Sequence, residues 1–305
     1  MFKHPKLKAY LAFIAVAFFW GTTFLAIRVG ITGDETYSFP PFLLAAFRHG
    51  IAGILICGYF IVFKKVGLPN WSQFKQYSLN GILMLVGGNG LISWGMQWVD
   101  SGLAALISAL TPLWIVLLNM AFGYKEKVTK IMWIGFLICL VAQYLIFKDR
   151  INLLSDKTYL WGLIAVMASN ICWSLGTIFS KSSKSEFPVL YTAGLQMIPG
   201  SIILFIIASI NGDWGHFNPS TDSIIALIYL VTFGSLLAYG CFMYILQALP
   251  AALVATYAYF NTIVAVLLGY LFLNEIINTE TLLAMLLTIL GVYLVGQKAK
   301  VKEPK

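Results

Sequence analysis

Trp20-Gly21-Thr22-Thr23, followed by Arg28, and Trp173-Ser174-Leu175-Gly176-Thr177, followed by Lys181, carry one pattern twice, about half a chain apart. In both, the basic residue stands eight positions after the Trp. Each Trp falls near the middle of an apolar run long enough for a helix to cross about 30 Å of hydrocarbon. A recurrence at that distance implies a duplicated membrane unit. Units of that kind pack around a shared cavity near the midplane.

The rest of the chain reads the same way. Of its 305 residues, 60% are hydrophobic and 10% charged, with a mean hydropathy of +0.85. A soluble domain of this size needs far more charge to cover its surface. The reading is an all-α polytopic membrane protein. Cys57, Cys139, Cys172 and Cys241 all fall inside apolar runs and form no CxxC pair. They read as small buried residues, with no disulfide framework or metal site implied. The net charge of +8 comes from short lysine clusters between apolar runs, so nucleic acid is not an expected partner. Lys3, Lys6 and Lys8 before Ala15-Val16-Ala17 mimic a cleavable signal peptide. The apolar stretch continues past Trp20, however, and reads as a retained first span.

Breaks at Pro40-Pro41, Pro69-Asn70, Val99-Asp100-Ser101-Gly102, Pro188 and Asn211-Gly212-Asp213 help divide the chain into ten expected spans. Their limits are 9–30, 41–63, 78–98, 103–122, 130–147, 158–180, 189–210, 223–247, 251–273 and 280–297. With a cytoplasmic N-terminus, fifteen of the twenty Lys and Arg fall in inside segments and three, Lys148, Arg150 and Lys157, fall outside. Arg28 and Arg48 lie within spans. That bias predicts both termini in the cytoplasm. Five spans per half is an odd number, so the second half, 151–305, enters the membrane inverted relative to the first, 1–150. Echoes between the halves agree with this. Leu103-Ala104-Ala105-Leu106 matches Pro250-Ala251-Ala252-Leu253, and Glu126 matches Glu275, each followed at the same distance by Tyr-Leu.

These motifs, taken in order, resemble the EamA-like group of the drug/metabolite transporter superfamily. The likeness is carried by Trp20-Gly21-Thr22-Thr23-Phe24, Ala45-Ala46-Phe47-Arg48, Gly88-Asn89-Gly90-Leu91 and Ser101-Gly102-Leu103-Ala104-Ala105-Leu106. It continues through Pro112-Leu113-Trp114, Thr256-Tyr257-Ala258-Tyr259-Phe260-Asn261, and Leu268-Gly269 with Glu275. The resemblance implies movement of metabolites or amino acids, often outward, across a bacterial inner membrane. It breaks at Asn261-Thr262, where the group usually has Asn-Pro; without that proline the ninth span keeps a backbone hydrogen bond and is expected to run straighter.

Candidate site residues follow from polarity inside the spans. Trp20 and Trp173 sit where an indole N–H has no water, so each either packs between helices or walls a cavity. Thr23 follows Trp20 on one face, and Thr177 follows Trp173 in the same way. On the third span Asn89, Ser93 and Gln97 are spaced by four and share a stripe beside Trp94; such a stripe belongs against protein or water rather than lipid. Ser108 and Pro112 on the fourth span face the question of a freed carbonyl, which either binds a ligand or bonds a neighbouring hydroxyl. Tyr257 and Asn261, four apart, place an aromatic face beside an amide. Arg48 is the candidate charge contact, about 10 Å along its helix from the outer end. A structural role, bonding carbonyls or reaching headgroups, is its first reading, and binding a carboxylate its second.

All twelve Asp and Glu lie in loops, tails or span ends, and the only histidine within a span is His49. Coupling through a buried acid is therefore not expected. No HExxH or GxSxG motif appears, and no cofactor is expected. The expected function is an alternating-access carrier, most simply an exporter of amino acids or related zwitterionic and aromatic compounds. A facilitative channel or a membrane scaffold is the alternative, ahead of an intramembrane enzyme. Expected partners are a small-molecule substrate and the bilayer, with the chain a monomer or homodimer.

Overall fold

Proline, glycine and short polar turns delimit the helices where the sequence places them. The computed structural model describes residues 5–31, 39–122, 129–148, 155–182, 185–249, 254 and 256–296. Helix α1 is Pro5–Ile31. Helix α2, Pro41–Val62, opens on a proline whose missing N–H would have had no partner in a first turn anyway. Helix α3 begins at Trp71, where the Asn70 and Gln73 side chains cap each other's backbone N–H. It runs Trp71–Gly81, widens to π-turns over Ile82–Gly90, and closes as Leu91–Gly95. Helix α4, Ser101–Ala121, is broken at Ala109-Leu110 between Ser101–Ser108 and Thr111–Ala121. Helices α5 (Lys130–Lys148), α6 (Lys157–Ser182) and α7 (Val189–Ile210) follow. After a 3-10 turn at Asp213–His216, α8 covers Thr221–Ala248 and again widens to π-turns, over Leu230–Tyr239. Helices α9 (Tyr257–Leu273) and α10 (Thr279–Gly296) complete the described chain.

Among the described residues the fold is all helical, without strands. Six helices, α1, α2, α4, α6, α7 and α8, are long and apolar enough to cross a membrane. Lys130–Ala142, Tyr257–Leu273 and Thr279–Leu294 are shorter apolar helices. The opening turns of α3 are polar, which is why the sequence places its span from residue 78 although the helix starts at Trp71. Residues 123–128 and 250–253, which hold Glu126 and the echo Pro250-Ala251-Ala252-Leu253, lie outside the described residues, as does 297–305. Large apolar side chains such as Ile54, Leu137, Leu140, Ile206 and Leu286 are exposed, as expected where the surrounding solvent is lipid.

Pairing between the halves is reciprocal. Helix α2 lies along α7 and α5 along α10. Helix α1 packs on α9 and α8, and correspondingly α6 packs on α4 and α3. Glycines permit these approaches. A Cβ on Gly81 would lie 2.2 Å from the Gln196 carbonyl oxygen, and one on Gly176 the same distance from Met84 Cγ.

The two basic residues of the opening motif do matched work. Arg28 on α1 donates to the Met96 carbonyl just beyond α3. Lys181 on α6 donates to the Leu246 and Leu249 carbonyls at the end of α8, at 2.5 and 3.0 Å. Each cation thus caps the carbonyl end of a neighbouring helix. Glu275 caps a helix start. Its carboxylate accepts from the Ser101 N–H and hydroxyl at 2.8 and 2.5 Å and from the Gly102 N–H at 2.9 Å.

Candidate functional site

Helices α1 and α6 bring Trp20 and Trp173 together near the centre. The rings meet edge to face at 5.2 Å, and both turn inward rather than toward lipid. Trp20 is buried and donates its indole N–H to the Gly234 carbonyl in the π-turns of α8, at 3.1 Å. Tyr257 and Phe242 complete the aromatic group, with centroids 5.0 and 4.9 Å from Trp20. Phe242 is wholly buried behind the other rings. The Trp173 N–H makes no hydrogen bond of ordinary geometry among the described residues, although the Tyr257 hydroxyl lies close enough to act on it.

These aromatics form one wall of a partly polar cavity between the helices, with about 610 Å³ of space between atoms, counting the part open to the outside. Of the residues read from sequence, Trp20, Thr23, Asn89, Ser108, Trp173, Tyr257, Asn261 and Arg48 line it. Asn170, Ser169 and Thr111 line it as well. Among the described residues of its lining there is no Asp, Glu, Lys or His, so Arg48 is its one charge.

Hydrogen bonds hold the polar lining in place. The break in α4 exposes the Ile107 carbonyl, which accepts from Asn170 Nδ2 at 2.6 Å; Asn170 Oδ1 accepts from the Thr111 hydroxyl at 2.6 Å. Pro112 removes the N–H that would have met the Ser108 carbonyl, and the Thr111 hydroxyl lies 2.7 Å from it, its single proton shared between that carbonyl and Asn170 Oδ1. Of the two fates the sequence leaves open for that carbonyl, it takes the neighbouring hydroxyl. At the matching place on α9, Thr262 stands where the family pattern has proline. Its hydroxyl meets the Ala258 carbonyl at 2.7 Å and the Ala105 carbonyl at 3.0 Å, tying α9 to α4, and α9 runs unbroken through it.

Arg48 is 4% exposed, and among the described residues its hydrogen bonds are to side chains rather than carbonyls. Nε donates to Ser235 Oγ at 2.9 Å and Nη1 faces Asn89 Oδ1 at 3.5 Å. The helix geometry directs the long side chain across to the π-turns of α3 and α8.

Ser93, Trp94, Gln97, Pro112 and Thr177 are not part of this lining. Spacing by four defines a face only in regular α-helix. Asn89 belongs to π-turns, and Gln97 lies past the end of α3, exposed and bonded to the Trp94 carbonyl at 3.0 Å. Trp94 stacks with Phe42 and meets Trp98 edge on. Thr177 is buried and returns its hydroxyl to the Trp173 carbonyl. Sequence reasoning passed over Asn170 and Ser169. The signal was there, since both precede Trp173 by three and four residues and so share its face.

An all-helical chain with spans long enough to cross a membrane and a partly polar cavity between helices of both halves fits a membrane transporter. The chain belongs to the EamA-like transporter family, whose pattern matches residues 7–148 and again 160–297. The resemblance read from the motifs is therefore correct, and the protein is a transporter rather than an enzyme. It is 32% identical over 286 residues to the uncharacterized inner membrane transporter YedA of Escherichia coli (strain K12), covering 93% of this chain and 89% of that protein. It is 25% identical over 293 residues to the uncharacterized transporter YoaV of Bacillus subtilis (strain 168), covering 94% and 96%. A WAT1-related chloroplastic protein of Arabidopsis thaliana matches at 28% over 301 residues, 93% of this chain and 68% of its own. One solved crystal structure, at 20% identity, shares the fold with a TM-score of 0.67 over 94% of this chain and 96% of its own.

Proposed function

We propose that this chain is a secondary carrier of the bacterial inner membrane that exports small organic metabolites, amino acids and related zwitterionic or aromatic compounds among them. It works by alternating access. Its ten spans form two inverted five-helix repeats, 1–150 and 151–305, with both termini in the cytoplasm. The observation that carries this reading is the meeting of Trp20 and Trp173, one from each half, at the wall of a single central cavity. A cavity lined from both of two pseudo-symmetric halves can be exposed to either side by rocking one half against the other. Reciprocal helix pairing and the matched Arg28 and Lys181 caps support the repeat. The name of the Escherichia coli relative supports the location.

Substrate drives the exchange only through unequal affinity for the two conformations. The test is counterflow in proteoliposomes loaded with an unlabelled amino acid and given the labelled one outside, with and without a pH gradient. Saturable accumulation of label is expected. Unsaturable flux marks a channel, and indifference to a broad metabolite panel overturns the carrier reading.

A further inference from the structure

The cavity holds one buried cation and, among its described lining, no acid to neutralise it. A guanidinium in a membrane interior is stable only when hydrogen bonded, hydrated or paired. Protein groups meet part of that need. Ser235 takes Nε, and Asn89 approaches Nη1 at the long distance of 3.5 Å. The facing groups are neutral. His49, beside Arg48, is 1% exposed and has its Nδ1 3.5 Å from Ser235 Oγ, while its Nε2 has no hydrogen-bond partner among the described residues.

The surroundings are shaped around this side chain. A Cβ on Gly234 would come within 2.7 Å of Arg48 Nη2, so glycine there leaves the guanidinium room. The carbonyl of the same Gly234 anchors the Trp20 indole. One residue of the π-turns in α8 therefore sets both the cation and the aromatic wall.

Resting on the carrier reading, we infer that Arg48 is the substrate's counter-ion, and that the substrate is a carboxylate with an aromatic body. The carboxylate pairs with the outer nitrogens of the guanidinium, a fork that matches its two oxygens. The body lies against Trp20, Trp173 and Tyr257, whose faces also accept an ammonium group where the substrate carries one. Asn89 and Asn261 supply neutral hydrogen bonding beside it. Amines lacking a carboxylate are disfavoured because they would share the cavity with an uncompensated positive charge.

The test uses the purified full-length chain and matched probes: phenylalanine and phenylpropionate against phenylalaninamide and phenethylamine. Binding is read by microcalorimetry, and the change in tryptophan fluorescence is compared with that of Trp173→Phe. The carboxylates should bind about tenfold or more tighter than their uncharged or cationic counterparts, the scale of one charge-assisted interaction. Asn89→Asp places a fixed carboxylate opposite Arg48 with almost no change of shape. It gives up the Asn89 Nδ2 hydrogen bond to the Met84 carbonyl (3.3 Å) while gaining the ion pair, and should stay folded in detergent yet lose carboxylate binding about 10- to 100-fold. Arg48→Lys should show a smaller loss, keeping the charge without the fork. Equal binding of acid and amide, or undiminished carboxylate binding by Asn89→Asp, overturns the assignment while counterflow can still uphold the carrier. A parent chain that neither binds nor exchanges any of these probes overturns both.

Discussion

Asn170 shows what a single side chain does here and why it escaped notice. One amide spans the break in α4, giving a proton to Ile107 and taking one from Thr111. Nothing near residue 170 in sequence announces that break, because the acceptor lies 63 residues earlier, where α4 unwinds at Ala109-Leu110 and only a short turn from the Leu110 N–H meets the Ile107 carbonyl. Asn170→Ala would leave the Ile107 carbonyl without its side-chain donor, and about 1–3 kcal/mol of stability should be lost. Thermal or denaturant unfolding in detergent measures it, and an unchanged transition would mean that water or backbone repairs the gap. Thr111→Val should cost less, because Asn170 Nδ2 still serves Ile107. The same contrast separates what could and could not be read elsewhere. Trp20 and Trp173 were legible because an indole inside an apolar run needs a partner. Arg48 was legible as unusual, but its direction depends on π-turns in α3 and α8 that composition alone does not announce.

At the level of whole helices, termini and close approaches decide the packing. Pro41 and Pro188 mark helix starts that sequence places correctly to within a residue, whereas α3 starts at the Asn70 capping box, ahead of the span expected from residue 78, because its first turns are polar. Glu275 was legible as a boundary residue, and the structure shows what it does there, holding the first two N–H groups of α4. Glu275→Gln keeps the shape but removes the negative charge facing that helix start and replaces one acceptor oxygen by a donor. We expect about 1–2 kcal/mol lower stability, with rescue by Asp failing because the shorter chain cannot reach. Glycines make a second, sharper test. Gly81→Ala would press a methyl into backbone, 2.2 Å from the Gln196 carbonyl oxygen, and separating α3 from α7 should cost about 1–3 kcal/mol. Gly58→Ala, on α2, meets nothing within 4 Å and should change stability by no more than about 0.5 kcal/mol. If both substitutions behave alike, close helix approach is not what Gly81 provides.

Over the whole molecule, the inverted repeat is the proposition on which direction of entry, cavity and exchange all depend. Its sequence basis is the odd number of spans per half and the excess of Lys and Arg on one side. The structure adds that Arg28 and Lys181, equivalent by the opening motif, cap equivalent helices α3 and α8. If the halves are inverted, Arg28 and Lys181 lie toward opposite faces, whereas Lys65 after α2 and Ser182 at the end of α6 share the cytoplasmic face. Both of the latter are exposed and tolerant sites for single cysteines once Cys57, Cys139, Cys172 and Cys241 are replaced. In sealed right-side-out vesicles a membrane-impermeant maleimide should spare both positions, and should label both after the membrane is opened. Labelling of one and not the other in sealed vesicles would put the two loops on different faces. The halves would then be parallel, Trp20 and Trp173 would no longer be related by an axis in the membrane plane, and the cavity between them could not present itself alternately to both sides by a symmetric exchange.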